Sequence, residues 1–224
     1  MGINMRSEGL VNSLHKYTFH ILGCGAIGSS AATQLVRCGA TRFVLYDMDK
    51  VGTENIGVSQ YFDEHIGMQK VDALQEHMLG INYDIDITMV DEYFNLLRYS
   101  NNNDIVILGF DSMKSRKEAV EEICRRKNEK PFLLIDGRMG GEHYQQYVFT
   151  DVKLKSYMDT WYSDEDGDPE PCNVKATSYC SNMAGSLIVN AIRKIVTNSP
   201  YETFLTFNFP TMSIEKKTFV PTNK

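Results

Sequence analysis

The fold is decided by residues 17–47, which read YTFHILGCGAIGSSAATQLVRCGATRFVLYD. Tyr17–Leu22 is a short apolar run of the kind that forms a buried strand, and Ala26–Cys38 has apolar residues at helical spacing. Arg42–Asp47 is a second strand-like run. This order predicts a compact strand–helix–strand unit with a glycine-rich turn at residues 23–28.

The rest of the chain continues this alternation of strands and helices. We predict further strands at Ile85–Val90, Asp104–Gly109, Pro131–Asp136, Tyr144–Thr150 and Thr203–Phe209, the last strand, and helices at Gln69–Leu79, Ser115–Lys127 and Tyr179–Val196. The middle strands are continuously apolar, which is typical of buried parallel strands, whereas the strand at 144–150 is longer and more polar. The pattern predicts an α/β protein with a Rossmann-like, doubly wound, mostly parallel sheet and antiparallel C-terminal strands.

Length and composition indicate one globular domain. The chain has 224 residues, of which 42% are hydrophobic and 23% are charged. It has no internal repeat and no linker that would divide it, so we expect a single domain over residues 1–224. Residues 157–172 are acidic and rich in turn-forming residues, so we expect a mobile loop there.

Charge and cysteine content exclude several functional classes. The formal net charge of −6 argues against a broad surface for nucleic acid or an anionic membrane. Every apolar stretch is far shorter than the roughly 20 residues that span a bilayer, and the amino terminus lacks a signal-peptide pattern. We expect a cytoplasmic protein. Its cysteines form no CxxC pair and fit reduced thiols better than disulfides or a zinc site: Cys24, Cys38, Cys124, Cys172 and Cys180.

The glycine-rich turn has the pattern of a nucleotide-binding loop. Gly23, Gly25 and Gly28 form a GxGxxG motif between a strand and a helix, with Asp47 following 19 residues after Gly28. Such glycines let the backbone approach a nucleotide, the helix amino terminus donates N–H groups to phosphate, and the acidic residue accepts from ribose hydroxyls. The alternative is a turn that serves only helix–strand packing. The motif leaves open which nucleotide binds.

Further motifs follow in a characteristic order. Residues 47–51 read DMDKV, Asn55-Ile56 comes next, residues 66–71 read IGMQKV, and Asp111 follows the fourth predicted strand. With the glycine motif, this series resembles the ThiF/MoeB-like adenylyltransferases, which are relatives of the ubiquitin-activating enzymes. The resemblance extends over roughly residues 6–196 and includes weaker matches at 6–10, 111–116, 136–141 and 171–179.

This resemblance implies ATP- and Mg²⁺-dependent activation of a carboxylate. The substrate implied is the C-terminal glycine of a ubiquitin-like or sulfur-carrier protein, which becomes an acyl-adenylate as pyrophosphate leaves. Chemistry of this kind depends on positioning and charge neutralisation. The resemblance places these residues around the nucleotide: Gly23, Gly25, Ala26, Ile27, Gly28, Asp47, Asp49, Asn55, Lys70, Asp111 and Ser112.

The resemblance also assigns individual roles. Asp47 would hold the ribose, Asn55 would face the phosphates, Lys70 would stabilise charge at the α-phosphate, and Asp111 would bind magnesium. A lysine is a suitable point charge for phosphate, and an aspartate at the carboxyl end of a parallel strand is a suitable Mg²⁺ ligand. The alternatives are a solvated Lys70 at the start of a helix and an Asp111 that caps a helix.

One element departs from the family pattern. Many relatives have an arginine in the sequence N-L-x-R-Q that contacts the ATP phosphates, whereas residues 55–60 read NIGVSQ. Either another cation replaces it, with Arg6, Arg116 and Arg138 as candidates, or catalysis is impaired. Relatives commonly dimerise, so we expect a homodimer in which Arg6 acts as a catalytic residue across the interface.

Cys172 has two competing interpretations. Some relatives carry a cysteine at this place that accepts the acyl group as a thioester, but the acidic neighbours of Cys172 should raise its thiol pKa, which fits an inert thiol.

For the whole chain, the alternatives are an NAD-dependent oxidoreductase and a catalytically inactive nucleotide-binding scaffold of the same fold.

Overall fold

A mixed β-sheet forms the centre of the protein. The computed structural model describes residues 6, 8–11, 13–98, 102–126, 130–165 and 176–221. Within these residues the strands are β1 (Thr18–Leu22), β2 (Arg42–Tyr46), β3 (Asp86–Val90), β4 (Asp104–Leu108), β5 (Leu133–Gly140), β6 (His143–Phe149), β7 (Tyr201–Asn208) and β8 (Ser213–Phe219). Their order in the sheet is β3-β2-β1-β4-β5-β6-β7-β8. The five neighbouring strands β3, β2, β1, β4 and β5 are parallel to one another. The pairs β5–β6, β6–β7 and β7–β8 are antiparallel.

Helices cover both faces of this sheet. They are α1 (Glu8–Val11), α2 (Ala26–Arg37), α3 (Thr53–Ile56), α4 (Lys70–Ile81), α5 (Met113–Arg125), α6 (Leu154–Met158) and α7 (Ser178–Val196), with 3-10 turns at Leu14–Lys16 and Asp63–His65. One hydrophobic core lies between the sheet and α2, α4 and α7, and the other lies between the sheet, α5 and α6. Both cores confirm the predicted doubly wound α/β architecture. No helix that the structure describes is long and apolar enough to cross a membrane.

The prediction of Thr203–Phe209 as the last strand is wrong, because β8 follows it. All seven residues of β8 are exposed, and Glu215, Lys216 and Lys217 form its middle. The strand therefore shows none of the alternating burial by which a strand is recognised in a sequence, and its backbone pairing with β7 defines it. The structure also extends β5 past Asp136 to Gly140, and α6 reaches Met158, inside the segment predicted as a loop from residue 157.

The glycine turn brings the ends of β1 and β4 together. Gly23 has a φ of +94°, and a side chain there would lie 2.7 Å from the backbone of Gly109. A Cβ on Gly28 would lie 1.9 Å from the carbonyl oxygen of Gly23. Glycine is required because a larger residue at Gly23 would push the turn away from Gly109, and one at Gly28 would push α2 away from the turn.

A second close contact joins α2 to α7. A Cβ on Gly185 would lie 2.3 Å from Ser30 Oγ and 2.8 Å from the Ser30 backbone. We predict that Gly185→Ala lowers the free energy of unfolding by about 1–3 kcal/mol, because the two helices must separate. Urea unfolding would measure the change.

Gly80 of α4 is the matched control, because no atom lies within 4 Å of a Cβ built there. Gly80→Ala should raise the free energy of unfolding by roughly 0.5–1 kcal/mol, since alanine restricts the unfolded chain and favours helix. Equal effects of the two substitutions would contradict close packing at Gly185.

Candidate functional site

A deep cleft of about 930 Å³ opens where the parallel strands end. It contains most of the residues that the sequence placed at a nucleotide site: Gly23, Gly25, Ala26, Ile27, Asp47, Asp49, Asn55, Lys70, Asp111 and Ser112. Gly28 is not part of the lining, because it packs beneath the turn against Gly23. Arg6 is exposed and lies outside the lining in a single chain. Cys172 lies outside the described residues.

Asp47 at the end of β2 anchors the glycine turn. Its Oδ2 accepts a hydrogen bond from the Cys24 N–H at 2.8 Å, and its Oδ1 accepts from the Asp49 N–H at 2.9 Å. Burial raises the pKa of the Asp47 carboxyl, and the nearby Lys70 ammonium opposes that rise. Each carboxylate oxygen has a second lone pair, so Asp47 keeps the capacity to accept from ribose hydroxyls.

Lys70 is held in the cleft by acidic residues and is not a solvated side chain. Its side chain is only 12% exposed, and its Nζ lies 2.9 Å from Asp49 Oδ2 and 3.9 Å from Asp47 Oδ1. Burial lowers the pKa of Lys70, but Asp47, Asp49 and Asp111 together outweigh burial and raise it. The cleft therefore holds a permanently charged ammonium group beside the glycine turn.

Asn55 faces the same cleft from α3. Its Oδ1 accepts a hydrogen bond from the Gly52 N–H at 2.9 Å, which closes the turn before the helix. Because the amide oxygen is used in this way, the NH₂ group is what Asn55 offers to a ligand. An amide donor at this place suits an anionic group such as phosphate.

Ser112, and not Asp111, caps helix α5. The Ser112 hydroxyl accepts from the Ser115 N–H at 3.3 Å, whereas Asp111 is exposed in the cleft immediately before the cap. The alternative role of Asp111 as a helix cap is therefore wrong. A single exposed carboxylate is a suitable donor for Mg²⁺, which usually binds one or two carboxylates together with phosphate oxygens and water.

Asp164 is a site residue that the sequence did not indicate. Its carboxylate accepts from the Met113 N–H at 2.8 Å, at the amino terminus of α5, and it lines the cleft. The Trp161 indole N–H donates to the Met113 carbonyl oxygen at 2.9 Å. No local pattern reveals this contact, because 51 positions separate Asp164 from Met113.

Two buried arginines converge on one aspartate at the other end of the cleft. Asp136 is fully buried and accepts from Arg138 Nη2 at 2.7 Å and Nε at 2.9 Å, and it also pairs with Arg116. Two guanidinium groups and one carboxylate leave one net positive charge. The ring of Tyr147 stacks on Arg138 at 4.5 Å. Arg116 and Arg138, both candidates to replace the missing arginine, therefore line the same cleft.

The cysteines that the structure describes are poor nucleophiles. Cys24 and Cys180 are fully buried, and Cys38 and Cys124 are partly buried. Burial raises the thiol pKa at each of these four positions, to about 11 at Cys180. Their thiolate fraction at neutral pH is therefore lower than that of a solvated cysteine.

Together, the fold and the cleft define a Rossmann-like α/β protein with a glycine-turn site at the carboxyl ends of its parallel strands. The model of the ThiF family matches residues 3–224. The chain belongs to the ThiF family.

Curated relatives and solved structures agree with this membership. Ubiquitin-like modifier-activating enzyme 5 of Caenorhabditis elegans is 28% identical over 142 residues, which are 56% of this chain and 34% of that protein. The protein of the same name from Oryza sativa subsp. japonica is 37% identical over 86 residues, which are 37% of this chain and 20% of that protein. The chain thus spans about a third or less of the length of these relatives.

The solved structures share the fold at low sequence identity. A crystal structure of E. coli MccB has a TM-score of 0.73 and 18% identity, and the match covers 95% of this chain and 65% of that one. A crystal structure of E. coli MccB with ATP has a TM-score of 0.71 and 16% identity, with 93% and 65% covered. A crystal structure of PaaA has a TM-score of 0.68 and 15% identity, with 91% and 64% covered.

The raised thiol pKa values predict slow alkylation of the native protein. Treated with iodoacetamide at pH 7.5, Cys24 and Cys180 should be modified only after unfolding, because burial shields the thiol and keeps it protonated. Peptide mapping by mass spectrometry would locate the modified residues. The partly buried Cys38 is the internal control and should react faster than Cys180. Rapid modification of Cys180 in the folded protein would contradict the described burial.

Proposed function

We propose that the protein uses ATP and Mg²⁺ to adenylate a carboxylate. The observation that carries this proposal is the placement of Lys70 and Asp111 in one cleft with the glycine turn and Asp47. An NAD-dependent oxidoreductase would need the glycine turn and Asp47, but it would give Lys70 and Asp111 no role. Membership of the ThiF family further supports adenylation over hydride transfer.

In the proposed reaction, an oxygen of the substrate carboxylate attacks the α-phosphorus of ATP. A new acyl–phosphate bond forms as the bond from the α-phosphorus to the bridging oxygen breaks, and pyrophosphate leaves. Backbone N–H groups of the glycine turn and the start of α2 bind phosphate oxygens, and Asp47 positions the ribose. The Lys70 ammonium neutralises charge at the α-phosphate. Mg²⁺, when held by Asp111, supplies further charge neutralisation on the phosphates.

The Lys70 ammonium has three N–H donors and can therefore bind phosphate beside its present partners. It pairs with Asp49 at 2.9 Å, and the Asp49 side chain is 61% exposed. A phosphate oxygen beside Asp49 gives the ammonium a further anionic partner, while Asp47 stays bound to backbone N–H groups. Lys70 thus serves as a cation that Asp47 and Asp49 position for a phosphate group.

For the missing phosphate-binding arginine, the structure favours Arg116 and Arg138 over Arg6 within one chain. Both line the cleft and retain one net positive charge with Asp136, whereas Arg6 is not among the lining residues. A role for Arg6 belongs to the proposed homodimer, in which it would reach the site of the partner subunit.

We propose a protein tail as the acceptor of the adenylyl group. Relatives named as ubiquitin-like modifier-activating enzymes, and a structure of E. coli MccB with MccA, support the C-terminal residue of a ubiquitin-like or sulfur-carrier protein. Cys172 remains the proposed thioester acceptor, because the four described thiols are poor nucleophiles. Residues 55–60 lack the arginine that many relatives have in this element. Its absence favours one competing candidate, a scaffold that binds nucleotide without turnover.

Calorimetry with ATP and Mg²⁺ tests the site. Lys70→Ala and Asp111→Ala should each weaken ATP binding about 10- to 100-fold, because each removes a charged partner of the phosphates or their metal. Lys114→Ala and Asp84→Ala are matched controls, since both residues are exposed and neither lines the cleft. The controls should bind ATP as the wild type does.

NAD⁺ binding without ATP binding would overturn the proposal and favour the oxidoreductase. ATP binding alone does not separate an enzyme from a scaffold, so pyrophosphate exchange into ATP is measured next, with a peptide that ends in Gly-Gly as the acceptor. Exchange that depends on Lys70 supports adenylation. Tight ATP binding with no exchange for any carboxylate acceptor supports the scaffold.

A further inference from the structure

A chain of buried polar side chains crosses the sheet beneath the cleft. His20 of β1 is fully buried, and its Nδ1 lies 3.0 Å from the hydroxyl of Tyr46 in β2. On its other side, His20 Nε2 lies 3.4 Å from Asp104 Oδ2 in β4. The Tyr46 hydroxyl in turn accepts a hydrogen bond from the backbone N–H of Arg98 at 2.8 Å. None of these side chains belongs to the proposed chemistry.

The Tyr46 hydroxyl has two polar neighbours from distant parts of the chain. Its oxygen accepts from the Arg98 N–H, and it also forms a hydrogen bond with His20 Nδ1. Burial raises the pKa of Tyr46 well above its usual range, so the hydroxyl remains a donor at every physiological pH. The Tyr46 hydroxyl is therefore held between His20 of β1 and the backbone of Arg98.

Tyr46 links two walls of the cleft. Its carbonyl oxygen accepts from the Gly23 N–H at 2.8 Å, which ties it to the glycine turn, and Asp47 follows it directly. Its hydroxyl accepts from the Arg98 N–H at the end of the segment 92–98, and the ring of Phe94 in this segment packs edge-on against the Tyr46 ring at 5.4 Å. Glu92, Tyr93 and Phe94 line the cleft beside Phe110.

The segment 92–98 lies at the adenosine end of the cleft. A glycine turn binds the phosphates and the acidic residue after the second strand binds the ribose, so the base extends beyond Asp47. The neighbouring wall offers the aromatic rings of Phe94 and Phe110, which suit the flat face of a purine. Since this segment has no regular secondary structure, its placement depends on contacts with β2.

We propose that Tyr46 is a positioning residue for the adenosine half of ATP, acting through the segment 92–98, with His20 in contact with its hydroxyl. This proposal rests on the proposed function, because ATP is its ligand. Tyr46 does not touch the phosphates through its side chain. Its effect is therefore confined to ligands that carry the nucleoside.

Tyr46→Phe is the test, because it keeps the ring and removes only the hydroxyl. Calorimetry compares ATP with inorganic tripolyphosphate, which has the same phosphates without adenosine, each with Mg²⁺. We expect ATP binding to weaken about tenfold and tripolyphosphate binding to stay within about twofold of wild type, as one lost hydrogen bond predicts. Hydrogen exchange at residues 94–98 should become faster.

Tyr144→Phe is the matched control. Tyr144 is also fully buried, and its hydroxyl donates to Gln146 Oε1 at 3.0 Å, but it lies outside the cleft lining. Tyr144→Phe should lose stability as Tyr46→Phe does, but it should bind ATP as the wild type does. His20→Gln, which removes the ring in contact with the Tyr46 hydroxyl, should reproduce the effect of Tyr46→Phe on ATP.

The outcomes distinguish this inference from the function on which it rests. Wild-type protein that binds no ATP would overturn both. Wild-type protein that binds ATP, with Tyr46→Phe binding it equally well, would overturn the inference and leave the proposed function intact. An equal loss of ATP and tripolyphosphate binding would also overturn it, because the effect would then reflect general loosening of the cleft.

Discussion

The structure depends on one close approach of backbone to backbone, where the glycine turn meets the end of β4. Gly23 and Gly109 lie too close for a side chain at Gly23, and Gly28 packs against the carbonyl of Gly23. This contact sets the angle at which α2 leaves β1 and places the amino terminus of α2 at the carboxyl ends of the strands. Asp47 then reaches the Cys24 N–H, and the floor of the cleft is complete.

Around this floor, two buried charged groups that the structure describes are each paired with groups of opposite sign. Lys70 lies between Asp47 and Asp49, and Asp136 lies between Arg116 and Arg138. Breaking a buried ion pair by removing one partner leaves an uncompensated charge, so both groups constrain where their strands and helices can lie. The group of Arg116, Arg138 and Asp136 also keeps one net positive charge in the lining of the cleft.

Much of the fold could be predicted because its signals are local. The strand–helix–strand unit, the apolar β4 and β5 and the long helix α7 each show their burial in their own periodicity. β8 could not be predicted in this way, since an exposed strand at a sheet edge is specified by its backbone pairing with β7. The hydrogen bond between Asp164 and Met113 and the polar chain through His20 and Tyr46 likewise join distant parts of the sequence.

The sequence by itself determined the α/β architecture, the glycine turn and the acidic residue after β2, because short-range spacing and the steric requirements of glycine suffice for these. Only the tertiary structure decided between alternatives that depend on neighbours from other strands and helices. It made Ser112 the cap of α5 and left Asp111 facing the cleft, and it buried Lys70 among carboxylates. It also brought Arg116 of α5 to Asp136, which shares one face of β5 with Arg138 because side chains two residues apart on a strand point the same way.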